Sequence, residues 1–252
     1  MAHIAQDQVW FDALKNDKDL HSICASLVFG KEWENAAEPN CAFVANQMKC
    51  KCKKHKPMRD KVKTVSFGLC YGMSKFRLSA TLKITLAEAE LLMLTYYKAF
   101  PRIRQVLLFL EKFGIQNGYI QTLYPFYRRR VFPQWQLVKG YVQGHLSGDP
   151  NMYNSTLGEI GRQSMNMPIQ GASGDMIKLA MIKMYRWIRE NNYRDQIKLV
   201  LNVHDQLTSI CKDELVPLWL KEKDRLMCDA AKEIIPSGIL KADTQSSKFW
   251  TK

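Results

Sequence analysis

The strongest constraint on the fold lies between residues 58 and 72, where Arg59, Lys63, Phe67 and Tyr71 recur every four positions. At about 100° per residue, a four-residue step drifts only ~40°, so the four side chains share one broad face of a helix. Val62, Val65 and Leu69 fall on a second face, roughly 150° away. The pattern predicts an amphipathic helix that packs by its aliphatic side and leaves the other free. Along the free side two cations precede two aromatic rings over ~18 Å. A nucleoside triphosphate has the same order, polyanion at one end and flat base at the other. The alternative from spacing alone is a basic amphipathic helix whose Phe67 and Tyr71 are core residues.

The rest of the chain is mostly helical. Thr85-Leu-Ala-Glu88 is a capping-box pattern opening a helix that runs to about Ala99, ahead of Pro101. A second helix is expected from Pro101 to about Gly114, and short strands with a turn within Ile115–Phe132. Gly140–Asn151 reads as loop. From Asn154 a helical pattern reaches Glu190, with a kink or break expected at Pro168. Ile197–Val203 and Leu207–Ile210 read as two strands joined through His204-Asp205-Gln206 in a tight hairpin. A last helix is expected over Glu214–Ile235, followed by a short strand near Ile239–Ala242. Residues 31–57 read as a loop-like insertion. Helices beside a small antiparallel sheet make the fold class α+β.

Charge bears on partners. Lys+Arg 37 against Asp+Glu 24 leaves +13, an excess that attracts polyanions, nucleic acid first among them. Residues 49–63 hold eight Lys or Arg and one acid, and Arg128, Arg129 and Arg130 form a second knot. The longest apolar runs, such as 91–94 and 106–110, fall far short of the ~20 residues of a bilayer span, so no membrane partner is expected. The seven cysteines are odd in number and make no small disulfide scaffold, which points to a reducing interior. Cys41, Cys50, Cys52 and His55 offer a Cys₃His zinc ligand set. Cys-x-Cys is not the usual Cys-x₂-Cys knuckle, and a flexible basic loop with free thiols is the other reading.

Arg59-x-x-x-Lys63-x-x-x-Phe67-Gly68-x-x-Tyr71-Gly72 resembles motif B, the fingers helix of family A DNA polymerases. The resemblance implies Arg59, Lys63 and His21 on the incoming triphosphate, Phe67 on base and sugar, and Tyr71 on the template side of the nascent pair. Asp19-Leu-His21 with Val28-Phe29-Gly30 is similar to the family's D-I-H…V-F-G. Thr122-Leu123 ahead of the three arginines is similar to its T-L-x-G-R-R-R turn, although the glycine is absent and Tyr124-Pro125-Phe126-Tyr127 is longer. Arg162-x-x-x-Asn166-x-Pro168-x-Gln170-Gly171 is similar to R-x-x-x-N-x-P-x-Q-G, which implies contacts to primer and template, where minor-groove acceptors are read for geometry. Val203-His204-Asp205 resembles motif C, V-H-D-E, with Gln206 in place of Glu. It implies that Asp205 is a ligand of two Mg²⁺ ions and that His204 lies near the primer.

Met1-Ala-His-Ile-Ala-Gln-Asp7 is similar to the M-A-H-L-x-x-D that follows motif A, and motif A itself is absent. The expectation is therefore an incomplete right-hand polymerase, with palm and fingers helices over about 1–30, a basic Cys-containing insertion over 31–57, fingers over 58–150 and a C-terminal palm with motif C over 151–252. A second polypeptide would supply motif A, the thumb and any exonuclease domain. The resemblance implies template-directed DNA synthesis from dNTPs on primer-template DNA, in the cytoplasm of a phage-infected host or in an organelle. A catalytically inactive DNA-binding remnant or accessory subunit is the competing reading, since it accounts for the charge and the missing motif A. Single-subunit viral RNA polymerases have a related fingers helix, but V-H-D with R-x-x-x-N-x-P-x-Q-G favours the DNA enzymes.

Overall fold

Asp7, Asp19, Ser74 and Thr85 each accept a backbone N–H three residues on, and so mark helix starts in the computed structural model, which describes residues 1–146 and 150–249. In chain order α1 (Ala2–Ala5), α2 (Gln8–Lys15), α3 (Leu20–Phe29), α4 (Lys31–Asn35) and α5 (Ala42–Asn46) lead to α6 (His55–Cys70). Then come α7 (Lys75–Leu82), α8 (Leu86–Ala99) and α9 (Pro101–Asn117). The reciprocal Thr85–Glu88 capping box forms as the sequence predicts. Helix α9 runs one turn past Gly114 and ends only at Gly118, whose φ of 73° suits a residue without Cβ.

Two short strands, β1 (Tyr119–Gln121) and β2 (Arg129–Val131), pair as one sheet and are followed by α10 (Trp135–Val142). A long helix, α11 (Pro150–Glu190), precedes a hairpin of β3 (Ile197–Val203) and β4 (Gln206–Cys211), and α12 (Val216–Ile234) follows. The described part of the chain is thus α+β, mostly helical with small antiparallel sheets.

The sequence reading needs four corrections. The insertion at 31–57 is not simply loop, because α4 and α5 lie in it. Gly140–Asn151 is not loop throughout, since residues 140–142 belong to α10 and 150–151 to α11; residues 147–149 lie outside the described residues. Helix α11 begins at Pro150 and continues through Pro168. Proline removes one helical hydrogen bond, whereas burial of Ile160 and Met165 before it and Ala172 and Ile177 after it holds both halves helical. No strand forms at 239–242, because a strand needs a hydrogen-bonded neighbour and among the described residues none pairs with this segment.

The chain divides into two compact units. The first comprises Met1–Ile120 and Arg129–Met167, and the second comprises Gln121–Arg128 and the chain from Pro168 onward. In the first unit Trp33, Val62, Val65, Tyr96, Phe100 and Ile160 belong to one buried cluster. Each of the aliphatic side chains contributes about 1.5–3 kcal/mol relative to an exposed one. In the second unit Met184, Ile188, Ile197, Trp219 and Leu226 form the core between α11, the hairpin and α12. Trp219 donates its indole N–H to Ser209 Oγ at 2.7 Å, and Lys223 donates to the Leu207 carbonyl at 2.6 Å, so α12 anchors β4.

Candidate active site

Helix α6 has the two faces its spacing predicts. Val62 and Val65 are fully buried and Leu69 nearly so, whereas Lys63 is exposed and Phe67 and Tyr71 are 49% and 41% exposed. The two rings are therefore not core residues. Tyr71 lies at the cap, one residue beyond the helix, with its N–H donating to the Phe67 and Gly68 carbonyls. Gly72 then turns the chain with φ of 68°. A Cβ placed on Gly72 would lie 2.7 Å from Arg162 Cγ and 3.2 Å from its Cα, so the absence of a side chain lets the end of α6 approach α11 at Arg162.

At the other end of α6, Arg59 donates from Nε and Nη2 to the two carboxylate oxygens of Asp19, both at 2.7 Å. Asp19 also caps α3 by accepting from the Ser22 amide and hydroxyl. Burial alone would raise the Asp19 carboxyl, but the hydrogen bonds from Arg59 and Ser22 hold it below the usual carboxylate range. The same contact raises Arg59, which stays cationic. Asp19 was not singled out as a site residue by the sequence, although it starts the D-I-H-like segment. It pairs across 40 residues, a distance no local spacing rule spans.

His21, the second residue of α3, packs its ring on Phe67 with centroids 5.6 Å apart. Burial, and then the charge of Arg59, lowers its pKa from the ordinary histidine value, so the imidazole is neutral at pH 7. Lys63 adds to the positive field at His21. His21 Nδ1 is buried without a hydrogen-bond partner among the described residues. Four of the predicted residues, His21, Arg59, Lys63 and Phe67, thus meet on adjoining faces of α3 and α6.

In the second unit, His204 and Asp205 form the two-residue tip of the hairpin, closed by the pair Val203↔Gln206. His204 takes the left-handed φ of 54°, and His204, Asp205 and Gln206 are all exposed. Asp205 and Gln206 border an open cavity of about 990 Å³ lined by α11, the hairpin, α12 and the C-terminal segment.

The three arginines of the second basic knot separate. Arg128 donates to Asp175 Oδ1 at 2.6 Å, and Asp175 is only 4% exposed. Arg129 lies over the Tyr119 ring at 4.7 Å, and Arg130 is exposed. Along α11, Arg162 and Gln170 are exposed and Asn166 is half-buried with an unpartnered Oδ1 among the described residues. Arg162 and Asn166 belong to the first unit and Gln170 to the second.

Cys41, Cys50, Cys52 and His55 converge, with their four ligand atoms all within 4.8 Å of one another. The insertion is therefore folded back on itself around these side chains.

The sequence model of DNA polymerase family A matches residues 1–252. The chain belongs to DNA polymerase family A. Among its curated relatives, DNA polymerase I of Caldicellulosiruptor bescii is 33% identical over 207 residues, covering 82% of this chain and 20% of the relative. DNA polymerase I of Streptococcus pneumoniae is 30% identical over 253 residues, covering 99% and 24%. This family A chain thus spans about a fifth to a quarter of the length of those relatives. Its fold is similar to that of the POL domain of Pol1 from M. smegmatis, solved in complex with DNA primer-template and dNTP. The TM-score is 0.69 at 27% identity, over 91% of this chain and 34% of that one.

The donor set at the hairpin tip of the family A chain fits Mg²⁺. Asp205 is an exposed carboxylate and Gln206 an exposed amide, both hard-oxygen donors. Mg²⁺ takes one or two protein carboxylates and fills its remaining positions with water and substrate phosphate. Among the described residues no helix is long and apolar enough to cross a membrane.

Proposed function

We propose that this family A chain takes part in template-directed DNA synthesis, transferring a nucleotidyl group from a dNTP to a primer 3′-hydroxyl. The observation that supports it best is the convergence of His21, Arg59, Lys63 and Phe67 in one patch of the first unit. In this reading Lys63 and the Asp19-braced Arg59 neutralise the triphosphate. His21 offers its neutral ring to a phosphate oxygen or to the bound nucleotide. Phe67 supplies a flat apolar surface for base and sugar, and Tyr71 lies at the template side of the nascent pair. Transfer forms a bond between the primer oxygen and the α-phosphorus, breaks the bond to the departing pyrophosphate, and releases the hydroxyl proton. Such chemistry is mostly positioning and charge neutralisation, which this set of side chains provides. Arg162, Asn166, Gln170 and His204 line the primer and template, and Arg128, Arg129 and Arg130 serve the backbone.

Bound at Asp205, two Mg²⁺ ions would activate the hydroxyl and stabilise the leaving group. Two-metal chemistry needs carboxylates from both sides of the site. We propose that a second polypeptide supplies motif A, together with the thumb and any exonuclease domain, and that the α6 region is the fingers and the β3–β4 hairpin part of the palm. Val200, Leu201, Val203 and Ile210 of the hairpin are 39–65% exposed, an apolar surface suited to such a neighbour.

One-nucleotide primer extension with Mg²⁺ tests the reading, using this chain alone and then mixed with the polypeptide encoded immediately upstream. Extension in the mixture only, abolished by Asp205→Ala, is the expected result, and Gln206→Glu should lower the Mg²⁺ concentration needed. Absence of extension from a primer that both preparations bind would make the chain a DNA-binding remnant or accessory subunit instead.

A further inference from the structure

Three cysteines and one histidine within a 15-residue stretch could have any arrangement in space, so their convergence is informative. Cys41 opens α5, Cys50 and Cys52 lie in the link that follows, and His55 is the first residue of α6. Cys41, Cys52 and His55 are 6%, 4% and 1% exposed. His55 Nδ1 lies 3.1 Å from Cys50 Sγ and 3.6 Å from Cys41 Sγ. A tetrahedral zinc ion, with Zn–S about 2.3 Å and Zn–N about 2.0 Å, holds its ligand atoms about 3.5–3.8 Å from one another. Here the ligand atoms all lie within 4.8 Å of one another, close enough for small side-chain shifts to bring all four onto a single ion.

The far side of the imidazole gives an independent indication. His55 Nε2 lies 2.8 Å from the Trp33 carbonyl oxygen, which can only accept, so Nε2 carries the proton and Nδ1 presents its lone pair to the thiols. Metal-binding histidines are oriented in this way, with the second nitrogen donating to a carbonyl or carboxylate. Trp33 also stacks on the ring at 3.8 Å and 7°, and Phe43 meets it edge-on. The imidazole is thus held in orientation, tautomer and depth by groups that are not themselves ligands. Soft thiolates with one imidazole in a closed tetrahedron select zinc and leave no open position, which is the pattern of a structural site.

We propose that Cys41, Cys50, Cys52 and His55 bind one zinc(II) ion that fixes the insertion against the start of α6. The consequence reaches the nucleotide patch by two short connections. His55 precedes Arg59 by about one helical turn. The end of α5 meets the start of α3, through the Asp19 amide to the Gln47 carbonyl at 3.0 Å and Lys18 to the Asn46 carbonyl at 2.6 Å. Both partners of the Arg59–Asp19 pair are therefore tied to the zinc-bound segment. The metal site itself does not depend on the polymerase reading, and its test uses no activity.

The full chain, purified without chelator, is expected to carry one zinc per molecule by elemental analysis. Cobalt(II) replacing the zinc should show the visible and thiolate charge-transfer bands of a tetrahedral sulfur-rich site. Cys52→Ala and His55→Ala should lose both signals, His55→Cys should retain zinc, and Cys228→Ser, outside the cluster, should leave them unchanged. Chelation should speed amide hydrogen exchange at least tenfold over residues 41–60 while the hairpin of the second unit keeps its protection. Less than a tenth of an equivalent of zinc with no cobalt thiolate band, or iron in place of zinc, would overturn the proposal. Zinc that survives both alanine substitutions in folded protein would overturn it equally.

Discussion

At the scale of single residues, the decisive contact is the one between Arg59 and Asp19. A cation assigned to triphosphate would ordinarily lose side-chain entropy when it meets its ligand. Here both oxygens of Asp19 already hold two arms of the guanidinium fork, so the group is pre-oriented and part of its charge is offset. Lys63, by contrast, is exposed. Because the folded-state carboxyl of Asp19 is depressed, its contribution is present above the pKa of the unfolded chain and is lost as pH falls through the folded value. Asp19→Asn should therefore cost about 1–3 kcal/mol near pH 7. Its melting temperature should lie below that of the wild type from about pH 7 to pH 5 and converge with it below about pH 4. A gap that stays constant down to about pH 3 would show that the charge of Asp19 is immaterial.

At the scale of elements, α6 is held at both ends by neighbours outside its own sequence. One turn in from its start it meets the cap of α3 through Arg59, and just past its end the chain closes on α11 at Gly72. Two costs are combined at Gly72, a left-handed backbone and contact with Arg162, whereas Gly144 has a similar φ of 73° and nothing within 4 Å of its would-be Cβ. Gly72→Ala should cost about 1–3 kcal/mol, lowering the melting temperature by about 2–4 °C for each kcal/mol. Gly144→Ala should cost about 1 kcal/mol, the backbone strain alone. Equal melting temperatures for the two variants would mean that Arg162 moves aside without penalty. The long helix α11 shows how packing overrides a local signal. Pro168 forbids one hydrogen bond, yet buried side chains on either side keep both halves helical, and the boundary between the compact units falls at that residue.

At the scale of the whole molecule, the excess of thirteen positive charges makes affinity for a polyanion depend on counterion release. Binding of a short primer-template duplex should weaken about tenfold or more between about 50 and 200 mM salt. Replacing exposed Lys51, Lys53 and Lys54 with Gln should reduce the slope of log affinity against log salt by up to about 3, measurable by fluorescence anisotropy. An unchanged slope would place these lysines away from the DNA. Much of this molecule was legible along the chain. The two faces of α6, the capping box at Thr85 and the hairpin turn at His204-Asp205 follow from periodicities and turn chemistry that act within about four residues. Family motifs single out His21, Arg59, Lys63 and Phe67 along the chain. Beyond that reach, the sequence is silent. Arg59 finds Asp19 across 40 residues and Arg128 finds Asp175 across 47. Residues 239–242 read as a strand but find no hydrogen-bonded strand partner among the described residues, and a basic loop with thiols closes into a cluster of three cysteines and a histidine. Local rules decide which backbone shape each segment prefers, because those energies depend on near neighbours in sequence. Which charges pair, which proline is tolerated and which cysteines meet depends on what is packed against them, and only the tertiary structure decides that.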